Sequence, residues 1–250
     1  MRWKFETGDL KLVSMDISTV GLAVIGDEVL LGEVKDRNIS IVSREVFRLG
    51  ADLTYACVLP DDPDFMFEHL SWMKNRFDWV VTTGGIGATH DDLTKQVVSR
   101  IVGTPLVEAP EAIQALENRI GSPLSDRLRE LALVPKGAEL VTNELTAAPG
   151  FMVENLLVLP GIPKLVESMI PVLETKLSGK IFYTEVVRTM LRESEVAHSL
   201  EFVQAKYPSV KIGSYPEMEA ADHRVKIVLR SREPESLREA GSMLIERIGK

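Results

Sequence analysis

Three short apolar runs in this chain end abruptly at glycine or at an acid. Val20–Ile25 stops at Gly26-Asp27, Leu53–Leu59 at Pro60-Asp61, and Trp79–Thr83 at Gly84-Gly85. Runs of this length between turn residues are the pattern of buried parallel strands. The segments between them have helical periodicity. Ile39, Val42, Val46 and Phe47 share one face before Gly50, and Met66, Leu70 and Met73 share another after the capping pair Asp62-Pro63. Strands alternating with helices predict βαβ units and a mainly parallel sheet. In such a sheet the carboxyl ends of all strands lie on one edge, where ligands of open α/β folds gather. The three loops that follow the runs are therefore expected to meet.

The pattern continues with a helix carrying Leu93, Val97, Val98 and Ile101 on one face. Pro110–Leu133 reads as two shorter helices split by Gly121-Ser122-Pro123, and Phe151–Leu159 as a strand pair leading to Pro160-Gly161-Ile162-Pro163. A helix with Leu165, Val166, Met169, Ile170 and Leu173 closes this part, and Ser178-Gly179-Lys180 is the best linker. Beyond it come strand Phe182–Thr189, helix Glu193–Lys206, strands Val210–Tyr215 and Arg224–Arg230, and helix Glu235–Ile248. Val225, Ile227 and Leu229 alternate with charged neighbours, as in a sheet with one wet face. The expected domains are an N-terminal extension over 1–18, an α/β domain over 19–178 and a small α+β domain over 180–250.

Composition bounds the function. With 45% apolar residues a sizeable core can form. No run approaches the ~18 apolar residues of a membrane helix, and Met1–Asp16 lacks the apolar region of a signal peptide. A cytoplasmic location without a membrane partner is expected. The net charge of −8 argues against nucleic acid as the main partner. The single cysteine, Cys57, excludes an intrachain disulfide and is expected to be a small buried side chain.

The loop Thr82–Thr94 reads TTGGIGATHDDLT. Gly84, Gly85 and Gly87 allow left-handed backbone and expose amides where anions are favoured. Asp91 and Asp92 repel a bare phosphate, so either one of them caps the next helix or both share a divalent cation with a phosphorylated ligand. Gly26-Asp27-Glu28 and Asp61 add acids to the same edge. His90 within the loop is open to two readings, loop packing or contact with phosphate, while His69, His198 and His223 are scattered and read as surface residues. No phosphate-binding G-x-x-x-x-G-K-[ST] loop, dinucleotide G-x-G-x-x-G or G-x-S-x-G elbow occurs.

These motifs resemble a known family. TTGGIGATHDDLT is similar to the signature of the CinA N-terminal domain and of the first domain of eukaryotic FAD synthase, and more distantly to the MoaB/Mog molybdopterin proteins. Gly26-Asp27-Glu28 with Gly32 and Asn38, Leu59-Pro60-Asp61, Leu159-Pro160-Gly161-Ile162-Pro163 and Gly213-Ser214-Tyr215-Pro216 match further family motifs in order. The resemblance spans about Thr19 to Ile248 and leaves Met1–Ser18 without a counterpart, which makes Met15 an alternative start.

The resemblance implies a three-layer α/β/α molybdopterin-binding-like domain with a small ferredoxin-like domain after it. It implies metal-dependent cleavage of a nucleotide pyrophosphate of the ADP-ribose or FAD type to AMP, or else the binding or adenylation of a pterin phosphate. Asp61, Asp92 and Asp91 are the implied catalytic residues. Gly84, Gly85, Gly87, Thr89, Asn38 and Gly161 are the implied phosphate or nucleotide ligands, and Asp27, Glu28, Asp61 and Asp92 would hold Mg²⁺, Mn²⁺ or Co²⁺. A homo-oligomer is expected. Neither the amidase region of CinA nor the adenylyltransferase region of FAD synthase is found in these residues, so FAD synthesis is not implied.

Overall fold

The computed structural model describes residues 17–217 and 222–249, so the expected extension over 1–18, with Met15, lies outside the described residues except for its last two positions. The chain divides into two compact units. One holds the residues up to Val46 together with Ala51–Gly179, and the other holds Phe47–Gly50 and the residues from Lys180 on.

The first unit begins β1 Thr19–Ile25, α1 Asp27–Leu30, α2 Asn38–Arg48, β2 Asp52–Leu59, α3 Pro63–Arg76 and β3 Trp79–Thr83. Then follow α4 Thr94–Val102, β4 Leu106–Glu108, α5 Pro110–Ile120, α6 Asp126–Arg129, β5 Leu133–Pro135 and β6 Glu139–Val141. It closes with β7 Gly150–Val153, β8 Leu156–Leu159 and α7 Pro163–Met169.

Its main sheet has the order β2-β1-β3-β8-β7-β6. The first three pairings are parallel, whereas the β8–β7 and β7–β6 pairings are antiparallel, so only β7 runs against the rest. The sheet is thus mixed. Ala23, Ile25, Leu156 and Val158 face Met66, Leu70 and Met73 of α3 and Val97 and Val98 of α4 in one core. Their strand neighbours Leu22, Val24, Leu157 and Leu159 point the other way by the pleat and are equally buried, as are Ile41 and Val42 of α2 and Leu165 and Val166 of α7. Burial on both faces explains why these strands read as continuous apolar runs.

Asp62 caps α3 as its sequence suggests, accepting from the Asp64 and Phe65 amides at 3.0 and 2.8 Å. Cys57 departs from expectation. It sits on β2, the outer strand of the sheet, and is only half-buried, and burial pushes its thiol pKa up.

The second unit contains β9 Tyr183–Thr189, α8 Glu193–Lys206, β10 Lys211–Pro216, β11 Val225–Ser231 and α9 Pro234–Ile248. Its antiparallel sheet has the order β10-β11-β9. Val196, Val203, Ile227, Leu229, Leu237 and Leu244 form a core of its own between the helices and one sheet face. His223 was expected at the surface but is buried. Its ring nitrogens lie 2.6 Å from Asp222 Oδ1 and 2.8 Å from Glu217 Oε2, so two carboxylates compensate the buried imidazole. Among the described residues no helix is long and apolar enough to cross a membrane.

Candidate functional site

The register of the parallel strands aligns four carboxyl ends. Ile25 pairs with Leu59, Val24 with Thr83, and Thr83 with Leu159. The loops beginning at Gly26, Pro60, Gly84 and Pro160 therefore start side by side, and backbone bonds stitch them together. Gly26 N–H donates to the Leu59 carbonyl at 3.1 Å and Gly84 N–H to the Leu159 carbonyl at 3.0 Å. Asp27 N–H donates to Asp61 Oδ2 at 2.9 Å and Asp61 N–H returns a bond to Asp27 Oδ1 at 3.3 Å.

The glycine turn is demanded by sterics. Gly84 has φ +104°, and a Cβ there would collide with the Ile25 carbonyl oxygen. Gly85 has φ +66°, and a Cβ there would strike the Thr94 hydroxyl. That hydroxyl donates to the Gly84 carbonyl at 3.0 Å, and the Thr94 amide donates to the Gly85 carbonyl at 2.9 Å, which locks the turn to the start of α4.

Asp92 does not cap α4, whose cap position is Leu93 with no side-chain cap. Its carboxylate closes the loop instead. It accepts from the amides of Gly87 and Thr89, each at 2.8 Å, and from the Thr89 hydroxyl. The amides of Gly84 and Gly87 are therefore committed within the protein. Among the described residues Gly85 is the member of the trio whose amide is left for a ligand.

A cavity of about 800 Å³ opens beside these loops. Glu28, Asp61, Asp91 and Asp92 line its acidic side, with Gly84, Gly85, Gly87 and Gly161. Leu116, Leu131, Ala147, Pro149 and Ile162 form an apolar wall, and Arg119 stands on that side. The size and the mixture of an apolar wall with a few convergent polar groups are those of a small-molecule site.

Three expected residues do not line this cavity. Asp27 serves it through its pairing with Asp61. Thr89 lies on a smaller cavity of about 290 Å³ with His90, Lys95 and Arg127. Asn38 is buried and donates to the Gly161 carbonyl at 2.8 Å and to Thr83 Oγ1 at 3.3 Å, while its own Oδ1 has no partner. It holds two strand-end loops together. The His90 side chain is 93% exposed, with Asp91 Oδ1 3.8 Å away.

Burial raises the Asp61 pKa, and the negative charges of Asp27, Glu28 and Asp91 add to the rise, partly offset by the bond from the Asp27 amide. Such crowding of like charge is what a cation relieves. Among the described residues, however, no group of three or more His, Cys, Asp or Glu side chains is placed to hold a metal ion. An all-protein cage does not fit here. The donor set suits an ion of the Mg²⁺ kind, which keeps several waters and takes one or two carboxylates together with ligand phosphates.

Sequence reasoning missed Lys95. It is buried at 4% exposure, its Nζ donates to the Glu130 carbonyl at 2.7 Å, and desolvation pushes its pKa down to about 8 against the pull of Asp92 and Glu130. Its signal was legible as a lysine on the same helical face as Val98. The wall formed by Leu131 and Ala147–Pro149 carries no periodic signal at all.

Residues 21–178 match the family described as "Probable molybdopterin binding domain". The chain belongs to the CinA-like molybdopterin-binding-domain family. Residues 181–250 match the family described as "FAD synthase, middle domain". A protein of Archaeoglobus fulgidus is 32% identical over 193 residues, which is 77% of this chain and 83% of that one. A CinA-like protein of Rippkaea orientalis is 30% identical over 83% of this chain and 53% of its own length. The chain thus spans about half the length of that CinA-like relative. The crystal structure of CinA from Thermoplasma acidophilum, described as of unknown function, superposes with a TM-score of 0.60 at 23% identity, over 64% of this chain and 98% of that one. The superposition confirms the α/β fold of this family member.

Proposed function

We propose that this CinA-like protein hydrolyses a nucleotide diphosphate of the ADP-ribose or FAD type, giving AMP and a second phosphate ester. One observation carries the reading. Glu28, Asp61, Asp91 and Asp92 meet the positive-φ glycine turn at the mouth of an apolar-walled cavity of about 800 Å³. The wall suits a flat heterocycle, and the acidic mouth suits a diphosphate that arrives with its cation. Water attacks one phosphorus, the P–O bond to the bridging oxygen breaks, and that oxygen leaves with the other phosphate. Asp61, which lines the cavity beside Glu28, takes the proton of the attacking water. Asp91 lines the same mouth, and Asp92 keeps the glycine loop closed through the Gly87 and Thr89 amides.

Mg²⁺, Mn²⁺ or Co²⁺ would be held by Glu28 and Asp61, with Asp27 and Asp92 beside them, and would neutralise charge on the phosphates. The test is AMP formation from ADP-ribose and from FAD with each metal, then with EDTA. Metal-dependent AMP that falls at least ~100-fold in Asp92→Asn supports the reading. No AMP with any of the three metals sinks it.

The match of residues 21–178 to a molybdopterin-binding description favours a second reading, in which the same cavity binds or adenylates a pterin phosphate. Tight pterin binding without AMP release would select it. A homo-oligomer remains part of the proposal. Leu30, Leu31 and Val34 beside the site are 52%, 72% and 50% exposed, which suits cover by a second copy. Sedimentation of the wild type and of Leu31→Lys measures this, and a wild-type monomer would remove it.

A further inference from the structure

The paired strand positions on the open face of the second unit's sheet carry positive charge and no acid. Val187, Ile212, Ile227 and Leu229 face the helices in the unit's core, so the alternate residues of each strand lie on the other face. The pairing register arranges these in three rows. Lys211, Arg230 and Thr184 form the first, Gly213, Val228 and Val186 the second, and Tyr215, Lys226 and Arg188 the third. Nine positions hold four cations and no carboxylate. The two charged rows are four residues apart, about 13 Å along the strands. Among the described residues only Lys226 of the four cations has a carboxylate within ion-pair distance, Glu217 at 3.9 Å.

The middle of the face is apolar and built around one ring. Tyr215 is 47% exposed and leans back along its strand, and a Cβ on Gly213 would lie 2.9 Å from its hydroxyl oxygen. Gly213 thus lets the tyrosine lie down on the sheet. Val186 beside it is 42% exposed, while Val228 is buried beneath its neighbours. A recumbent ring with an open face, flanked by cations on both sides, has the parts of a platform for an unpaired base and its phosphates.

The charge of the whole chain hides this. Residues 181–250 contain 11 Lys and Arg against 11 Asp and Glu, so the net charge of −8 belongs entirely to residues 1–180. Within this neutral stretch, one sheet face has collected four cations.

We propose that this face binds single-stranded nucleic acid, with phosphates on Arg188, Lys211, Lys226 and Arg230 and a base on Tyr215. Charge complementarity selects a polyanion, and the ring selects a polyanion that carries flat bases. Among the described residues this surface is a sheet with no protruding helix, so it is suited to an unpaired strand and not to a major groove.

The test is fluorescence anisotropy of labelled 12-nucleotide oligouridylate and oligothymidylate with the full chain. Binding is expected at 50 mM salt and should weaken roughly 50-fold by 200 mM, the slope for about four phosphate contacts on a single strand. Tyr215→Ala should cost about fivefold or more, and Arg188→Gln with Lys211→Gln should flatten the salt dependence. AMP formation should be unchanged in both variants, which keeps this result separate from the fate of the hydrolase reading. Melting curves that match the wild type establish that the variants are folded. Absence of binding at 50 mM salt overturns the proposal. Equal competition by polyglutamate together with indifference to Tyr215→Ala also overturns it, because the face would then read charge alone and suit an acidic protein surface.

Discussion

Gly84 and Gly161 touch across the site but differ in what they tolerate. An added Cβ at Gly161 would meet Gly84 Cα at 3.4 Å, an ordinary contact, whereas at Gly84 it would run into the Ile25 carbonyl at a φ of +104°. Gly84→Ala should therefore cost about 3 kcal/mol in urea unfolding and Gly161→Ala less than about 1 kcal/mol. Equal losses would show that the turn can relax. Lys95 gives the pH dependence. Its folded pKa of about 8 lies below the ordinary lysine value of 10.5, so the unfolded chain binds its proton more tightly. Stability contributed at this site is lowest below pH 8 and rises as the pH moves from about 8 towards 10.5. Lys95→Met removes that rise, so the wild type should gain on the variant between pH 7 and pH 10. A constant difference would mean that the ammonium is solvated.

At the scale of elements, long periodic segments were legible and short ones were not. The strands β1, β2 and β3 and the helices α2 to α4 stand where the apolar pattern puts them; β1 and β3 are buried on both faces and the helices bury one apolar stripe, while β2 at the sheet edge is only partly covered. Strands β4, β5 and β6 have three residues each, too few for alternation to register, and tertiary pairing alone defines them. The acids before α4 look like a cap in sequence, yet Asp92 turns back to accept from the Gly87 and Thr89 amides of its own loop. The end of α3 is held from a distant hairpin. Asn155 donates to the Lys74 and Phe77 carbonyls at 2.9 and 3.1 Å. Asn155→Ala should cost about 1–2 kcal/mol and speed amide exchange in the last turn of α3, while a loss without faster exchange there would place the effect in the hairpin.

For the molecule as a whole, each unit owns a core, and the acidic charge lies in the first. The second core joins both helices to every strand of its sheet, within a size range where single domains fold alone. Residues 180–250 expressed alone should therefore unfold cooperatively by circular dichroism, and a broad, non-cooperative melt would show that this core depends on the rest of the chain.

Periodicity, turn residues and the rule that parallel strands share one carboxyl edge were enough to determine the α/β class, the smaller second sheet and the meeting of Gly26, Asp61 and Gly84. These follow from local pattern and chain chirality, which a sequence carries. Which amide is left for a ligand, which acid faces the cavity, where its apolar wall stands and why His223 is buried were decided only by tertiary structure. Each of those depends on groups from distant segments competing for the same hydrogen bond or the same space, and no local pattern records the outcome of that competition.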